Sequence, residues 1–288
     1  MKIILKTLLL FPIYISSQYT YIDKEFEKAL VELNIDSVID GKISNKKALN
    51  VEVLNFEDIN ATVTNFKGIS AFKNLRELIC YPFQGVEHLD LSQNIELRRL
   101  SIHGNNLDSL VLTKNINLEW LQFSKSNIHY LDIKNCLNLK EIHGHSSKLR
   151  TLNVKNNFSL QKLDCSNNLL EKLDLGEHPD LWELIIQFNK ISSLDISKCE
   201  KLESLRASNN FLNEIDLSKN KKLRWLQLQN NDLKKINIEN NQELNNFNFN
   251  NNDISFIDIS KNKNLSYIGC SGNEKLNCDL LKEKLKKQ

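Results

Sequence analysis

Glycine and proline are scarce in this chain, eight and three among 288 residues, which excludes collagen-like and Pro/Gly-rich low-complexity classes. No Gly-rich phosphate loop, serine elbow or Cys–His pair with site-like spacing stands out, so the common nucleotide-binding and acyl-transfer motifs are missing. An excess of one charge is missing too. The 38 basic and 36 acidic residues leave a formal net charge of +2, without the basic footprint that nucleic acid or an anionic lipid surface requires. No apolar run reaches the roughly 20 residues needed to cross a bilayer. What the chain has in excess is asparagine, 40 residues, on a background of 41% hydrophobic and 26% charged residues that suits a folded protein.

Residues 1–18 start with Lys2 and Lys6, run apolar from Leu8 to Ile15 and end in Ser16-Ser17-Gln18, the three-part order of a secretory signal peptide. They predict an exported protein, secreted or held at the cell surface, with no membrane insertion of the mature chain. Export permits disulfides. Cys80, Cys165 and Cys270 nevertheless share one repeat position, and Cys136 and Cys199 another, as small buried fillers would. Only Cys270 and Cys278 are placed to meet, and their spacing leaves open whether they do.

Shifting the chain by 21 residues lays leucine on leucine, in units that begin at Leu97, Leu118, Leu139, Leu160, Leu181, Leu202, Leu223 and Leu244. A looser unit starts at Leu75 and a truncated one at Leu265. Each unit is apolar at positions 1, 4, 6, 11, 14 and 16. The L-x-L alternation at 4–6 and 14–16 has period two, which predicts two short strands per coil and, on stacking, two parallel sheets. Position 9 holds Asn105, Asn168, Asn189, Asn210, Asn231, Asn252 and Asn273, with Ser126 and Ser147 as exceptions. A buried amide there can serve backbone donors and acceptors of adjacent turns. Position 19 reads Asn94, Asn115, Asn157, Asn220, Asn241 and Asn262, with Cys136, His178 and Cys199 as substitutes, and is expected to repeat the device at the opposite turn.

The L-x-x-L-x-L-x-x-N-x-L kernel resembles the leucine-rich repeat, in the short 21-residue bacterial form of internalin-like surface proteins, and the resemblance covers Leu75 to about Asn273. It implies an α/β-class but β-dominated solenoid: a right-handed coil of about ten repeats, a parallel sheet on the concave face, short strands opposite and helical caps. The expected organisation is a signal peptide at 1–18, a capping segment at 19–74 with a helix over about 23–33 and a degenerate first repeat, the solenoid at 75–273, and a cap helix at 274–288. Asp23 is placed to cap the first helix, whose apolar stripe is Phe26, Ala29, Leu30 and Leu33. Asp36, Asp40, Gly41 and Ile43 match part of a calcium loop, but Val38 and Lys47 stand where ligands are needed, so a glycine turn is expected instead.

Strand alternation sends positions 3, 5, 7 and 8 outward, onto the concave face. The ligand-binding candidates there are Trp120, Gln122, His143, Ile185, Phe188, Arg206, Trp225 and Tyr267, since aromatics and arginine left in water are the usual composition of a recognition surface. Glu141, Lys162 and Glu183 stand on successive coils and could pair with one another. His143 and His145 share a strand face with His103 two coils away, yet only Gln122 and Ser124 lie between, too few ligands for zinc. The column Asp90, Asp132, Asp174, Asp195, Asp216 and Asp258 recurs too regularly for a catalytic pair and reads as a turn or sheet device. No metal and no cofactor is expected. The sequence thus predicts an exported, non-catalytic protein binding a protein or glycan on its concave face, and no nucleic acid. The alternatives are a structural or adhesive spacer and, further off, a carbohydrate-active solenoid enzyme.

Overall fold

The computed structural model describes residues 17–80, 85–104 and 106–287; the first sixteen residues of the expected signal peptide, and Asn105 of the asparagine column, lie outside them. One parallel sheet of eleven strands runs the length of the molecule. It starts with Val53–Asn55, Glu77–Ile79 and Arg99–Ser101, and continues through Trp120–Gln122, Glu141–His143 and Lys162–Asp164. Glu183–Ile185, Ser204–Arg206, Trp225–Gln227, Asn246–Asn248 and Tyr267–Gly269 complete it. Each strand is three residues long, covering repeat positions 3–5, and pairs in register with its copy one unit on, as Leu163 with Leu184 and Leu184 with Leu205. The position-4 residue points inward and its two neighbours outward, which is what a two-residue pleat dictates.

The apolar positions close behind the sheet into one continuous core from Ile22 to Leu281. Cys80, Cys136, Cys165 and Cys199 sit in it as buried free thiols. Burial disfavours their thiolates, pushing Cys199 up to about 11 and Cys136 to about 12, so they act as apolar filler.

The opposite side of the coil departs from the expected second sheet. Among the described residues it pairs only His88–Asp90 with Ser109–Val111 and Tyr130–Leu131 with Thr151–Leu152. Further on the coils splay there, leaving a groove of about 640 Å³ lined by Leu194, Ile215 and Ile236 with their neighbours. Coils hydrogen-bonded at a fixed spacing on one side and spread on the other describe an arc, and this puts the continuous sheet on its inner, concave side.

Both ends are covered. Helix α1 (Lys24–Glu32) begins at Asp23, whose Oδ1 accepts the backbone N–H groups of Glu25 and Phe26 at 2.9 and 3.2 Å. Its Phe26 meets Phe56, Phe66 and Phe72 with ring centroids 5.2–6.2 Å apart. Glu27, fully buried, accepts the N–H groups of Asp40, Gly41 and Lys42, so the turn at 36–42 is held by a carboxylate from the helix, with Gly41 at φ 80°. Lys47, at the position a calcium ligand would need, instead pairs with Asp36 at 2.9 Å. Two elements had no clear sequence signal: the antiparallel pair Tyr19–Tyr21 with Lys42–Ser44 and the short helix α2 (Asn45–Leu49). At the other end Cys270 and Cys278 are joined by a disulfide, Cα atoms 5.6 Å apart. It ties the last coil to helix α3 (Cys278–Lys286), capped by Asn277 and seated through buried Leu281.

Candidate functional site

The concave sheet divides into a charged half and an amide half. In the first, the Arg99 guanidinium lies 3.8 Å over the Trp120 ring, and Trp120 packs against His143 at 5.2 Å. His143 Nε2 bonds the Glu141 carboxylate at 2.9 Å, and Ser101 Oγ donates to Gln122 Oε1 at 3.0 Å. Trp120, Gln122 and His143 are thus brought together, half-buried by one another and by Arg99. Next along, Glu183, nearly buried, pairs with Lys162 at 2.7 Å and Arg206 at 3.7 Å. Glu141 is not part of that chain of charges; it is taken by His143 on its own strand.

Two expectations about exposure need correction. Ile185 is only 9% exposed: it lies between Asp164 and Arg206 on the paired strands, and a long side chain on an adjacent strand has methylenes enough to cover apolar surface. Phe188 is 49% exposed but lies at the rim, not on the sheet, because position 8 is where the backbone leaves the strand in the left-handed conformation. Every described unit from Leu97 on repeats this, with φ between 54 and 74° at Gly104, Lys125, Ser146, Asn167, Phe188, Asn209, Asn230, Asn251 and Gly272. Asparagine and glycine tolerate that geometry; a bulky phenylalanine is strained by it. Three of the asparagines bond in series, Asn230 to Asn209 at 2.8 Å and Asn251 to Asn230 at 2.7 Å.

In the second half, Trp225 and Tyr267 are 46% and 47% exposed, set among Gln227, Asn246, Asn248 and Gly269. A third aromatic escaped the sequence reading. Trp182, at position 2, is 41% exposed and forms with Trp225 a slot of about 190 Å³, also lined by Glu183, Glu203, Ser204 and Arg206. Position 2 precedes the strand, so pleat alternation gave no reason to place it on this face; that all three tryptophans of the chain fall at positions 2 and 3 was the available signal.

The acidic column is a turn device. Asp195, Asp216 and Asp258 each accept, through Oδ1, the N–H two residues ahead at 2.9 Å. These backbone bonds are the main reason their carboxyls stay below the usual range, ionised and fixed rather than poised for acid–base work. Burial, with Lys125 nearby, lowers the pKa of His103, and among the described residues no three His, Cys, Asp or Glu side chains converge as a metal site requires.

No protein-family model and no curated protein sequence matches the chain. Solved structures do. The functional domain of InlJ from Listeria monocytogenes, which includes a cysteine ladder, superposes with a TM-score of 0.69 at 24% identity over 90% of this chain. This chain spans 63% of that one. The internalin InlF of the same organism gives 0.62 at 18% identity, covering 87% of this chain and 82% of its own. Toll, in its complex with Spatzle from Drosophila, gives 0.55 at 16% identity over 77% of this chain and 37% of its own. Stacked 21-residue coils, a continuous inner sheet and these likenesses together make the chain a leucine-rich repeat solenoid, of the form seen in internalins.

Proposed function

We propose that this is an exported, non-catalytic recognition protein whose concave face binds a protein or glycan ligand. The observation that carries the reading is the contrast between interior columns that keep one chemical character from coil to coil and a concave surface whose large side chains do not: Trp120, His143, Arg206, Trp225 and Tyr267 each occur where neighbouring coils carry something else. A spacer needs no such variation. Phe188 adds to it, since an exposed aromatic in a left-handed backbone costs stability and belongs where something other than stability is selected. The fixing of the acidic column in turns supports a binding rather than a hydrolytic role. Toll in complex with Spatzle is a precedent for a macromolecular ligand on this fold.

The test is an array of extracellular proteins and of neutral and charged glycans, probed with the purified chain. Substituting Trp120→Ala and Trp225→Ala together should lower the captured signal about tenfold or more while the melting temperature holds. Unchanged capture of every ligand overturns the reading. Phe188→Asn should raise stability by about 0.5–1 kcal/mol and weaken binding; if only the first happens, Phe188 leaves the site.

A spacer or adhesive role draws on one observation, the exposed apolar column Ile95, Ile116, Leu137 and Phe158 on successive coils, away from the sheet. Concentration-dependent self-association abolished by Phe158→Glu, with no ligand for the concave face, would favour it.

A further inference from the structure

We propose that the C-terminal half of the concave face is a carbohydrate site, and that its ligand is an uncharged, extended β-linked polysaccharide whose sugar rings stack on Trp182, Trp225 and Tyr267. The inference rests on the reading of the concave face as a binding surface, and narrows it to one half and one ligand class.

The first feature is spacing. The three aromatics belong to the coils that begin at Leu181, Leu223 and Leu265, one on every second coil. With adjacent strands about 4.8 Å apart, Trp225 and Tyr267, both at position 3, stand roughly 9.6 Å apart, and Trp182 lies the same two coils before Trp225, offset by one residue along its coil. That is comparable with the two-residue repeat of an extended β-linked chain, in which alternate sugars present the same ring face. The coils between carry Ser204 and Asn246 at the matching position, small polar residues that leave room beside each ring.

The second is charge. From Trp225 onward, positions 3, 5 and 7 read Trp225, Gln227 and Gln229, then Asn246, Asn248 and Asn250, then Tyr267, Gly269 and Ser271, without one formal charge. Amides and hydroxyls both donate and accept, as the hydroxyl rim of a sugar requires. The same positions on the coils before Trp225 hold Arg99, Glu141, Lys162, Asp164, Glu183 and Arg206. The arginines beside Trp225, Arg206 and Arg224, are already paired with Glu183, Glu203 and Glu243, so an acidic polysaccharide would find no free counter-charge, and a protein hot spot would need a continuous apolar centre rather than separated rings.

The third is unsatisfied polar chemistry. Ser204, 6% exposed, lines the slot between Trp182 and Trp225, and its Oγ has no hydrogen-bond partner; Gln229 Oε1 is likewise buried and unpaired. Unlike the asparagine oxygens left so at the opposite turn, these two belong to the coils that carry the exposed aromatics or lie between them. Rotation of the Ser204 hydroxyl toward the slot would let a sugar hydroxyl supply the partner. On its other side Trp225 borders a second cleft of about 490 Å³ with Arg224, Glu243, Asn245 and Asn264, so one ring can be stacked while its neighbours are hydrogen-bonded.

The experiment titrates the purified chain with cellohexaose and chitohexaose, both β-1,4-linked, and with maltohexaose and the matching disaccharides, following tryptophan fluorescence and affinity electrophoresis. The expected result is binding of a β-linked hexasaccharide about tenfold or more tighter than its disaccharide, because only the longer chain reaches all three rings, with maltohexaose weaker. Trp225→Ala should lose that affinity about tenfold, Trp225→Tyr should keep most of it, and Tyr130→Ala, at an exposed aromatic on the opposite side of the coil, should leave it unchanged at an unaltered melting temperature. No binding of any β-linked hexasaccharide overturns the inference, as does equal binding of maltohexaose or of the Trp225→Ala variant. If sugars fail while a protein ligand is captured and lost with Trp120→Ala/Trp225→Ala, only this inference falls; if no ligand depends on these side chains, the wider reading falls with it.

Discussion

The two asparagine columns look alike in sequence and do different work. At position 9, Asn210 donates through Nδ2 to the carbonyls of Ile186 and Ala207, at 3.0 and 3.3 Å, while its Oδ1 accepts the Ile191 N–H at 3.0 Å. Asn168, Asn189, Asn231, Asn252 and Asn273 repeat the pattern. At position 19, Asn220 donates to the carbonyls of Ile196 and Cys199 at 3.0 and 2.9 Å, but its buried Oδ1 has no partner, nor do those of Asn94, Asn115, Asn157, Asn241 and Asn262. The expectation that the second column repeats the first is therefore corrected. The carbonyls it reaches already hold backbone bonds, from Cys199 N–H to Ile196 and from Leu202 N–H to Cys199, whereas the Ile191 N–H at the first turn depends on its asparagine. A donor with one proton is orphaned by a deletion; an acceptor with two lone pairs is only half deprived. This explains why cysteine and histidine enter position 19 and only asparagine or serine occupies position 9.

The largest effect that would sharpen this contrast is Asn210→Ala, expected to cost about 3 kcal/mol by urea denaturation, since it leaves a buried N–H unsatisfied and removes the three bonds its Nδ2 donates. Asn220→Ala should cost about 1 kcal/mol. Equal losses for the two would break the distinction. His178 provides a pH test. Burial lowers its pKa below 6.5, outweighing the nearby carbonyls of Leu175, Asn157 and Val154. The unfolded chain therefore takes up a proton that the folded chain resists, and stability falls as pH drops below about 6.5. His178→Asn should remove that part of the decline, so its advantage over wild type grows between pH 7 and 5. The smallest expected change is Cys136→Asn, within about 0.5 kcal/mol, because Cys136 Sγ already sits against the Leu112 carbonyl at 3.6 Å and the site tolerates either residue.

The solenoid and its buried columns were legible because each physical demand is written many times. A leucine that must face the core at Leu100 must do so again at Leu121, Leu163 and Leu184, and the repetition removes chance. What was not legible occurs once. Trp182 joins the concave face from a position that pleat alternation leaves undefined, and Ile185 is buried on the sheet between two paired strands, which no single-strand pattern can show. The two position columns were confused because the sequence names the amide without naming its partners. The left-handed turn at position 8 was in principle readable from Gly104, Asn167, Asn209, Asn230, Asn251 and Gly272; Phe188, Lys125 and Ser146 obscured it. The Cys270–Cys278 bond depended on the return of helix α3, a contact beyond the repeat.

Each strand of the long sheet is bonded only to the one before and the one after. Pulled at its termini, such a stack carries tension in series and yields by peeling from an end rather than by shearing as a block. The covalent tie at the last coil and the four-phenylalanine plug at the first stand where the peeling would begin, so the mechanical endurance of the whole stack is set by its two ends.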